Sequence, residues 1–294
     1  MSIQRTYTFK DGKQLHLGGK TLIMGILNIT PDSFSDGGQW DTVDAAAAHM
    51  HEMVADGADL IDVGAESTRP GSTPMTADEE QERLMPFLQR LLSECPVPIS
   101  VDTYHPETAR VAAGMGVHIL NDICGLQYTG TPDGAMARVA AETGLPIIVM
   151  HNPPKEGDVS GRGLDAAGED ILEDMKDFFR KSIAIADVAG VKREQIILDP
   201  GIGFGKDTPA NLLVQKRLRE LLEIDGTEYP LLFAASRKRF IGDVLGLPKD
   251  QRDEATGAAG VIAILNGACM LRVHDVRTQA RMAALTDAIL ETRD

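Results

Sequence analysis

Eight short apolar runs recur along the chain, and longer amphipathic stretches separate them. Each run is rich in Leu or β-branched residues and is continuous rather than alternating with polar residues. Such runs are typical of strands that are buried on both faces of a parallel sheet, where helices must cover the sheet. The runs span 21–28, 60–64, 98–103, 118–123, 145–150, 196–200, 231–236 and 270–274.

The stretches between the runs have helical periodicity and helix-end signals. Pro106 suits the first position of a helix that ends at Gly114, and 77–94 begins with carboxylates, which stabilise a helix N-terminus. The predicted helices span 42–58, 77–94, 106–114, 132–143, 169–189, 208–223, 254–267 and 276–292. Eight strands alternating with eight helices predict a TIM (β/α)8 barrel of the α/β class, and a doubly wound open sheet is the structural alternative.

The N-terminal segment 7–19 has the pattern of a β-hairpin, with Asp11 and Gly12 at its turn. We expect this hairpin to plug the floor of the barrel. The chain has 294 residues, and a barrel typically takes about 250, so we predict a single barrel domain that spans 1–294. Neither a domain linker nor an internal repeat stands out in the sequence.

The charge balance of the chain limits its partners. The formal net charge is -15 at pH 7, which argues against non-specific binding to nucleic acid or to an anionic membrane surface. The sequence shows no apolar run of bilayer length and no apolar segment of the signal-peptide type, so we predict a cytoplasmic protein without membrane contact. Its three cysteines, Cys95, Cys124 and Cys269, lack zinc-ligand spacing and are expected to be packing residues.

Polar residues interrupt the apolar runs near their C-terminal ends. In a barrel these ends converge on one face, where active sites are found. One such residue is commonly a turn former or a helix cap. Repeated burial after nearly every strand is costly unless the groups pair with each other or with a ligand. The strand-end residues are Asn28, Asp62, Asp102, Thr103, Asn121, Asp122, His151, Asn152, Asp199, Ser236, Arg237, Lys238, Arg272 and His274.

Two loops that follow the first two predicted strands carry further candidates. The first loop, 28–38, is dense in turn formers and hydroxyl groups, and it is either a structural turn or a mobile lid. The second loop, 64–71, contains Thr68 and Arg69. A hydroxyl group and a guanidinium group suit phosphate oxygens through charge-assisted hydrogen bonds, although such residues can also serve a turn.

The Gly-rich segment 199–206 is not a Walker phosphate loop, because Pro200 stands where that pattern requires its first glycine. We interpret it either as a strained strand-to-helix connection or as a turn that brings Phe204 close to a ligand. The basic cluster 236–239 follows the seventh run, where positive charge opposes the dipole of the next helix. Lys238 could there bind an anion, donate to a carbonyl group or form a Schiff base.

Arg272 and His274 lie two residues apart on the last predicted strand. Because successive strand residues point to opposite faces, this spacing places both side chains on the same face. Together they suit an anion. His49 and His51 have the same spacing but lie on a predicted helix, where they point to different sides and are expected to be ordinary surface residues.

Seven of these segments, taken in order, resemble the sequence motifs of the dihydropteroate synthase family. They are NITPDSFSDGG (28–38), GAESTRPG (64–71), SVDT (100–103), NDI (121–123), DPGIGFGK (199–206), SRKRFIG (236–242) and RVHDV (272–276). The resemblance covers nearly the whole chain. It implies a β/α barrel that joins 6-hydroxymethyl-7,8-dihydropterin diphosphate to 4-aminobenzoate and gives 7,8-dihydropteroate and pyrophosphate, with Mg2+ assisting. It also implies a homodimer that is sensitive to sulfonamides.

The resemblance assigns roles to the residues that occupy the family's motif positions. The implied pterin-binding residues are Asp102, Asn121, Met150, Asp199 and Lys238. The implied diphosphate-binding residues are Asn28, Thr68, Arg69, Arg272 and His274, and Asn28 is also the implied magnesium ligand. The implied aminobenzoate-binding residues are Pro70, Phe204 and Lys238, and the implied catalytic residues are Asp102, Lys238 and Arg69.

The mechanism that the resemblance implies starts with loss of the leaving group. Cationic groups and Mg2+ stabilise the departing diphosphate, and a pterin carbocation forms near the negative charge of Asp102. The neutral arylamine then attacks this carbocation. An aniline nitrogen is already unprotonated near neutral pH, so no strong general base is needed, which agrees with the lack of an obvious catalytic dyad.

Three other functions are weighed against this one. A pterin-binding methyltransferase related to the corrinoid-dependent barrels would share the pterin floor, but the complete first loop, Arg69 and the basic cluster favour the synthase. An aldolase that uses Lys238 as its Schiff base is the second alternative, and borohydride trapping would reveal it. A non-catalytic pterin-binding paralogue is the third, and it would bind ligand without turnover.

Overall fold

The computed structural model describes residues 3–29, 39–66, 74–153 and 170–292 of the chain. Its strands are β1 (Arg5–Thr8), β2 (Gln14–Leu17), β3 (Leu22–Asn28), β4 (Leu60–Gly64), β5 (Ile99–Asp102), β6 (Ile119–Asp122), β7 (Ile147–Met150), β8 (Ile196–Asp199), β9 (Glu223–Ile224), β10 (Thr227–Glu228), β11 (Leu232–Phe233) and β12 (Met270–Val273). Its α-helices are α1 (Gln39–Ala55), α2 (Ala77–Glu94), α3 (Pro106–Met115), α4 (Ala135–Thr143), α5 (Ile171–Ala189), α6 (Thr208–Lys216), α7 (Arg239–Leu245), α8 (Asp253–Leu265) and α9 (Val276–Glu291).

Eight of the strands form one parallel sheet that closes on itself. Strands β3 to β8 lie side by side in chain order, and β12 joins β3 to β11 on the other side. A parallel bridge between Leu198 of β8 and Leu231, which precedes β11, completes the ring. The amide of Leu198 also donates to the carbonyl oxygen of Pro230 at 2.9 Å. The TIM-barrel prediction is therefore confirmed, and the alternative of an open doubly wound sheet is wrong.

Each predicted apolar run forms a barrel strand, but the run 231–236 contributes only the two residues of β11. The chain leaves the sheet after Phe233, and Arg237, four residues further on, adopts a left-handed backbone with a φ of 57°. Helix α7 was not predicted, since its seven residues span only two turns and give little periodicity. The predicted helix 208–223 is shorter in the structure, because α6 ends at Lys216. A short 3-10 helix, Leu218–Leu221, follows it.

Side chains alternate between the inside and the outside of the barrel along each strand. The outward residues, such as Ile23 and Leu27 of β3, belong to the large core between the strands and the helices. The inward residues at the N-terminal ends of the strands form a second cluster with side chains of the hairpin made by β1 and β2. That cluster contains Phe9, Leu15, Leu17, Leu22, Met24, Leu60, Ile119, Ile148, Ile197, Leu232, Cys269 and Met270. The predicted hairpin is thus present, and it plugs the barrel floor.

The remaining expectations concern the chain as a whole. The three cysteines are free and buried, as expected of packing residues. Within the described residues, no helix is both long and apolar enough to cross a bilayer. Most of the first loop, 30–38, and of the second loop, 67–73, lies outside the described residues, as does the segment 154–169. The assignment of 1–294 to a single domain stays a prediction.

Candidate active site

A cavity opens at the C-terminal ends of the barrel strands. All five residues that the sequence suggests for pterin binding line this cavity, and so do one diphosphate candidate, Arg272, and two aminobenzoate candidates, Phe204 and Lys238. The lining residues are Asp102, Asn121, Ile123, Met150, Asp199, Gly201, Ile202, Phe204, Ala234, Lys238 and Arg272. The hairpin cluster fills the opposite, N-terminal end of the barrel.

Arg272 joins two carboxylates inside the cavity. Its Nε donates to Oδ2 of Asp62 at 2.6 Å, and its Nη2 donates to Oδ2 of Asp102 at 2.6 Å. The amide Nδ2 of Asn121 also donates to Oδ2 of Asp62, at 3.0 Å. Asp62 is fully buried, and Arg272 and Asp102 are each less than one-fifth exposed. One guanidinium group therefore compensates two carboxylates in a site that excludes most water.

The surroundings of Asp102 raise the pKa of its carboxyl group. Burial raises its pKa, to about 7, and the neighbouring carboxylates of Asp62 and Glu80 add to this shift, whereas Arg272 and Lys238 oppose it. Space for the side chain depends on Gly64 of β4, because a Cβ atom there would lie 3.1 Å from Cβ of Asp102. Perturbed carboxyl groups in a cleft are typical of functional sites.

Asp199 ends β8 and begins the turn that forms one side of the cavity. Its Oδ1 accepts from the amide of Gly201 at 2.7 Å. Burial raises the pKa of Asp199 to about 6, and the amide of Gly201 and the charges of Lys238 and Arg272 oppose this rise. Gly201 has a φ of 61°, and a Cβ atom there would lie 2.0 Å from the carbonyl oxygen of His151, so the turn requires glycine at this position.

The three cationic side chains of the basic cluster 236–239 point in different directions. Arg237 forms two hydrogen bonds with the carboxylate of Asp253, both at 2.7 Å, and Arg239 is exposed. Lys238 instead turns into the cavity, where its Nζ lies 4.2 Å from the ring centroid of Phe204. Burial lowers the pKa of Lys238 to about 8, Arg272 lowers it further, and Asp199 and Asp102 oppose this fall. The left-handed backbone at Arg237 explains how adjacent cations point apart.

His274 follows β12 and hydrogen bonds to Ser236 rather than carrying a charge. Its Nδ1 lies 2.9 Å from Oγ of Ser236, and its backbone amide donates to the same oxygen at 3.2 Å. Burial lowers the pKa of His274 to about 3, and the cations Arg237 and Arg272 add to the shift. The ring is therefore neutral near pH 7, and it can meet an anion as a hydrogen-bond donor but not as a cation.

The other predicted site residues fall into two groups. Asn28 ends β3 on the same face of the barrel and is half-buried. Thr68, Arg69 and Pro70 lie outside the described residues, so their predicted roles are not tested by the structure. Among the described residues, no group of three or more His, Cys, Asp or Glu side chains could enclose a metal ion.

Three charged residues contribute to this face without having been assigned a role from the sequence. Asp62 was recognised only as a polar strand end, although a carboxylate inside the run 60–64 is itself a signal for a paired charge. Lys206 was considered only as part of a segment that fails the phosphate-loop pattern. In the structure its Nζ lies within hydrogen-bond distance of Nδ1 of His151. Glu80 of α2 gave no signal, because it lies among other acidic residues in a first helical turn.

Glu80 is fully buried directly behind the strand-end face. Its Oε2 accepts from Oγ1 of Thr103, which follows Asp102, at 2.7 Å. Burial raises the pKa of Glu80 from 4.5 to about 7, and the carboxylate of Glu66 adds to the rise, whereas the hydroxyl groups of Thr103 and Thr108 oppose it. A carboxyl group with a raised pKa binds its proton more tightly in the folded chain than in the unfolded chain.

This shift predicts how stability depends on pH. The contribution of the Glu80 proton to the free energy of unfolding is fully present below pH 4.5 and is lost as the pH rises through about 7. We expect Glu80→Gln to gain stability relative to wild type over this interval, by up to about 3 kcal/mol. Urea unfolding at several pH values measures this difference. Glu82→Gln, at an exposed position of the same helix, is the control and should differ from wild type by less than about 0.5 kcal/mol throughout. A pH-independent difference for Glu80→Gln would contradict the assignment.

Comparison with known proteins agrees with this geometry. The model of the pterin binding enzyme family matches residues 24–274. The chain is 48% identical over 271 residues to the dihydropteroate synthase of Bacillus subtilis, and the match covers 92% of this chain and 89% of that protein. It is 44% identical over 279 residues to the dihydropteroate synthase of Clostridium beijerinckii, which covers 95% of this chain and 97% of that protein.

Solved structures give the same result. The dihydropteroate synthase of Clostridium difficile, determined in the presence of pteroic acid, matches with a TM-score of 0.85 and 43% identity over 94% of this chain and 99% of that chain. The enzyme of Xanthomonas albilineans with 4-aminobenzoic acid matches with a TM-score of 0.86 and 35% identity over 98% of this chain and 100% of that chain. At these identities and coverages both the fold and the family are shown. The chain belongs to the dihydropteroate synthase family.

Proposed function

We propose that this chain joins 6-hydroxymethyl-7,8-dihydropterin diphosphate to 4-aminobenzoate and releases pyrophosphate and 7,8-dihydropteroate. The observation that carries the proposal is the convergence of two carboxylates, an amide and an ammonium group on one cavity: Asp102, Asp199, Asn121 and Lys238. Relatives with the name dihydropteroate synthase that match nearly all of the chain support it. A solved relative that contains 4-aminobenzoic acid supports the second substrate.

The cavity suits the hydrogen-bonding edge of a pterin. The amino group and the adjacent ring N–H of a pterin are hydrogen-bond donors. The carboxylates of Asp102 and Asp199 would accept hydrogen bonds from them. The carbonyl oxygen and N5 of the pterin are acceptors for Asn121 and Lys238. The amide of Asn121 keeps one N–H for this purpose after it donates to Asp62. The thioether of Met150 would pack against the ring.

The diphosphate would lie where β3 and β12 end side by side, since these strands are neighbours in the barrel. Arg272 would supply positive charge, and the neutral ring of His274 would donate a hydrogen bond. Thr68 and Arg69 of the second loop are the other predicted contacts.

Mg2+ is usually held by one or two protein oxygens together with substrate phosphates and water. The amide oxygen of Asn28 at the end of β3 fits such a site, which requires no cluster of protein carboxylates. When bound, Mg2+ would neutralise negative charge on the departing diphosphate.

The reaction then needs little acid–base chemistry from the protein. The bond between the pterin methylene carbon and the diphosphate oxygen breaks, and its electron pair leaves with the oxygen. The ionised carboxylate of Asp102 would stabilise the positive charge that develops on the pterin, and Arg69 would stabilise the leaving group. The amine nitrogen of 4-aminobenzoate forms the new bond with its lone pair and loses a proton to water.

The ring of 4-aminobenzoate would be bound between Phe204, Pro70 and the side chain of Lys238. The contact between Lys238 and the Phe204 ring already forms one side of this space. A sulfonamide has the same arylamine shape and would occupy the same space. The structure of the Yersinia pestis dihydropteroate synthase with a sulfonamide drug complex supports this expectation.

The proposal is tested with the purified chain, both substrates and Mg2+. We expect pyrophosphate and dihydropteroate to form in equal amounts, and we expect a chelator to slow their formation. Borohydride should trap no adduct on Lys238, which separates the synthase from an aldolase. A well-folded chain that binds the pterin without forming either product would contradict the proposal and favour the non-catalytic paralogue.

We also propose that the chain forms a homodimer through its late helices. The helix α8 is rich in Ala and Gly and exposes Ile262 and Leu265. Sedimentation should give twice the 31.7 kDa of one chain, and Ile262→Glu should give a monomer. Val188→Glu, at another exposed apolar position on α5, is the control and should stay dimeric. A wild-type monomer at micromolar concentration would contradict this assembly.

The predicted cytoplasmic location and lack of nucleic-acid binding stay predictions, which cell fractionation and a gel-shift assay would test.

A further inference from the structure

We infer that Lys206 is a positioning residue for the aminobenzoate step, because its ammonium group fixes the Gly-rich turn, residues 200–206, so that Phe204 faces Lys238. This inference rests on the proposed function, since it takes Phe204 to be a wall of the aminobenzoate site. Lys206 does not line the cavity. It therefore acts through Phe204 and not by touching a substrate.

The Nζ atom of Lys206 lies within hydrogen-bond distance of three acceptors. It donates to the carbonyl oxygen of Gly201 at 3.0 Å, to that of Phe204 at 3.1 Å and to Nδ1 of His151 at 2.8 Å. An ammonium group has three N–H donors and no acceptor, so these three contacts use all of its donors. A side chain from the end of the turn thus fills the inside of the turn and joins it to the end of β7.

The acceptor that directly follows β7, His151, is held in place by its surroundings. His151 is buried, and its ring packs edge-on against Phe178 with the centroids 4.9 Å apart. Burial lowers the pKa of His151, and the charge of Lys206 adds to the fall, so the ring is neutral. A neutral imidazole whose Nδ1 accepts from Lys206 carries its proton on Nε2.

Two charged groups act on Lys206: Asp199 at the end of β8 and Lys238, which precedes α7. Burial lowers the pKa of Lys206 to about 7, Lys238 lowers it further, and the carboxylate of Asp199 opposes the fall. Burying an ammonium group is costly unless its hydrogen bonds are satisfied. The hydrogen bonds with two backbone carbonyl oxygens and His151 offset this cost. Lys206 is therefore a structural part of the turn.

The turn has little other freedom. The amide of Phe204 donates to the carbonyl oxygen of Gly201 at 3.0 Å, so this oxygen accepts both from Phe204 and from the ammonium group of Lys206. On the outer side, Oδ1 of the buried Asn211 accepts from the amide of Gly203 at 2.7 Å. Lys206 and Asn211 hold the turn from opposite sides. The position of the Phe204 ring consequently follows from that of the Lys206 ammonium group.

The Phe204 ring is in direct contact with Lys238. A Cβ atom at Gly203 would lie 3.0 Å from Cδ of Lys238, and Nζ of Lys238 is 4.2 Å from the Phe204 ring. A movement of the turn by about 1 Å would shift the Phe204 ring relative to Lys238, and these two side chains form one wall of the proposed arylamine site. Misplacement of this size commonly costs up to about 100-fold in rate.

The experiment compares Lys206→Met with wild type. Methionine keeps the unbranched apolar part of the side chain but removes the terminal nitrogen and all three donors. We expect the KM for 4-aminobenzoate to rise by about 10- to 100-fold. The Kd for the pterin substrate, measured by calorimetry, should change by less than about threefold, because the polar pterin-binding side chains keep their own contacts. Lys206→Gln, which keeps two donors, should have an intermediate KM and provides a folded variant if Lys206→Met fails to fold.

Two further variants separate a positioning role from a general loss of structure. Lys216→Met, at an exposed position of α6, should leave both constants unchanged. In a double-mutant cycle, Lys206→Met should add less than about twofold to the KM of Phe204→Leu, because both changes act through the same ring.

Equal effects of Lys206→Met on both substrates, or a full effect in the Phe204→Leu background, would overturn the inference. So would an unchanged KM for 4-aminobenzoate in an active enzyme. A wild-type chain that forms no product would instead overturn the proposed function, so the two failures are distinguishable.

Discussion

Arg272→Met is expected to lower the free energy of unfolding by about 3–5 kcal/mol near pH 8 and to abolish measurable turnover. The substitution leaves the carboxylates of Asp62 and Asp102 close together without their shared cation. Uncompensated buried charge of this kind is among the largest destabilising effects known for single substitutions. The loss should be smaller near pH 5, because the raised pKa of Asp102 lets this carboxyl group protonate there.

A matched control for this effect is Arg277→Met. Arg277 forms an ion pair with Asp56, but its side chain is exposed, so its loss should cost at most about 1 kcal/mol. Denaturant unfolding at the two pH values measures both variants. Arg272→Lys keeps the charge but offers no planar pair of donors, and it should recover only part of the stability. Equal destabilisation by Arg272→Met and Arg277→Met would contradict the paired-carboxylate account.

Asp102→Asn is expected to lower kcat by about 100- to 1000-fold while the chain stays folded. Asparagine has nearly the same shape, and its amide oxygen can still accept from Nη2 of Arg272. The change removes the negative charge that would stabilise the developing pterin cation. The KM for 4-aminobenzoate should change little, because the proposed wall of that site is Phe204 and Lys238. Steady-state kinetics with both substrates varied separates these quantities.

Asp133→Asn removes an exposed carboxylate and serves as the control for net charge. It should leave kcat within about twofold of wild type, since exposed charges are largely screened. Thermal unfolding should show that Asp102→Asn is no less stable than wild type by more than a few degrees. A folded Asp102→Asn chain with wild-type kcat would remove Asp102 from the proposed mechanism.

The barrel could be predicted from the sequence because its strands are continuous apolar runs and its helices begin and end with recognisable signals. Pro106 and the carboxylates that begin 77–94 are examples of helix starts whose chemistry is local. The short helix α7 could not be predicted, since two turns give no clear period. The early end of β11 could not be predicted, because the apolar run continues through Ala234 and Ala235 after the strand ends at Phe233.

The residues of the site could be predicted from their positions at the strand ends, but the contacts between them could not. Polar residues at barrel strand ends must converge, so the strand pattern alone was enough to bring Asp102, Asn121, Asp199 and Lys238 together. The pairing of Arg272 with Asp62 and Asp102 could not be predicted, because β12 lies two strands from β4 and three from β5. Only the length of the arginine side chain and the packing inside the barrel decide which carboxylates it reaches.

Lys206 illustrates the same limit. Sequence spacing marks it as the last residue of a Gly-rich motif and gives no sign that it folds back into its own turn. Its partners are two backbone carbonyl oxygens and His151, which lies 55 residues away in the chain. A hydrogen bond to a backbone oxygen leaves no trace in residue types. Such positioning residues are therefore found from coordinates and not from patterns.

The most direct test of the central claim is a crystal structure of the chain with the product, 7,8-dihydropteroate, bound. The pterin ring should lie in the strand-end cavity, with its donor edge within hydrogen-bond distance of Asp102 or Asp199 and its acceptor edge facing Asn121 or Lys238. The benzoate ring should contact Phe204. A product molecule bound elsewhere on the barrel, or one with its benzoate ring at the carboxylates, would contradict the account.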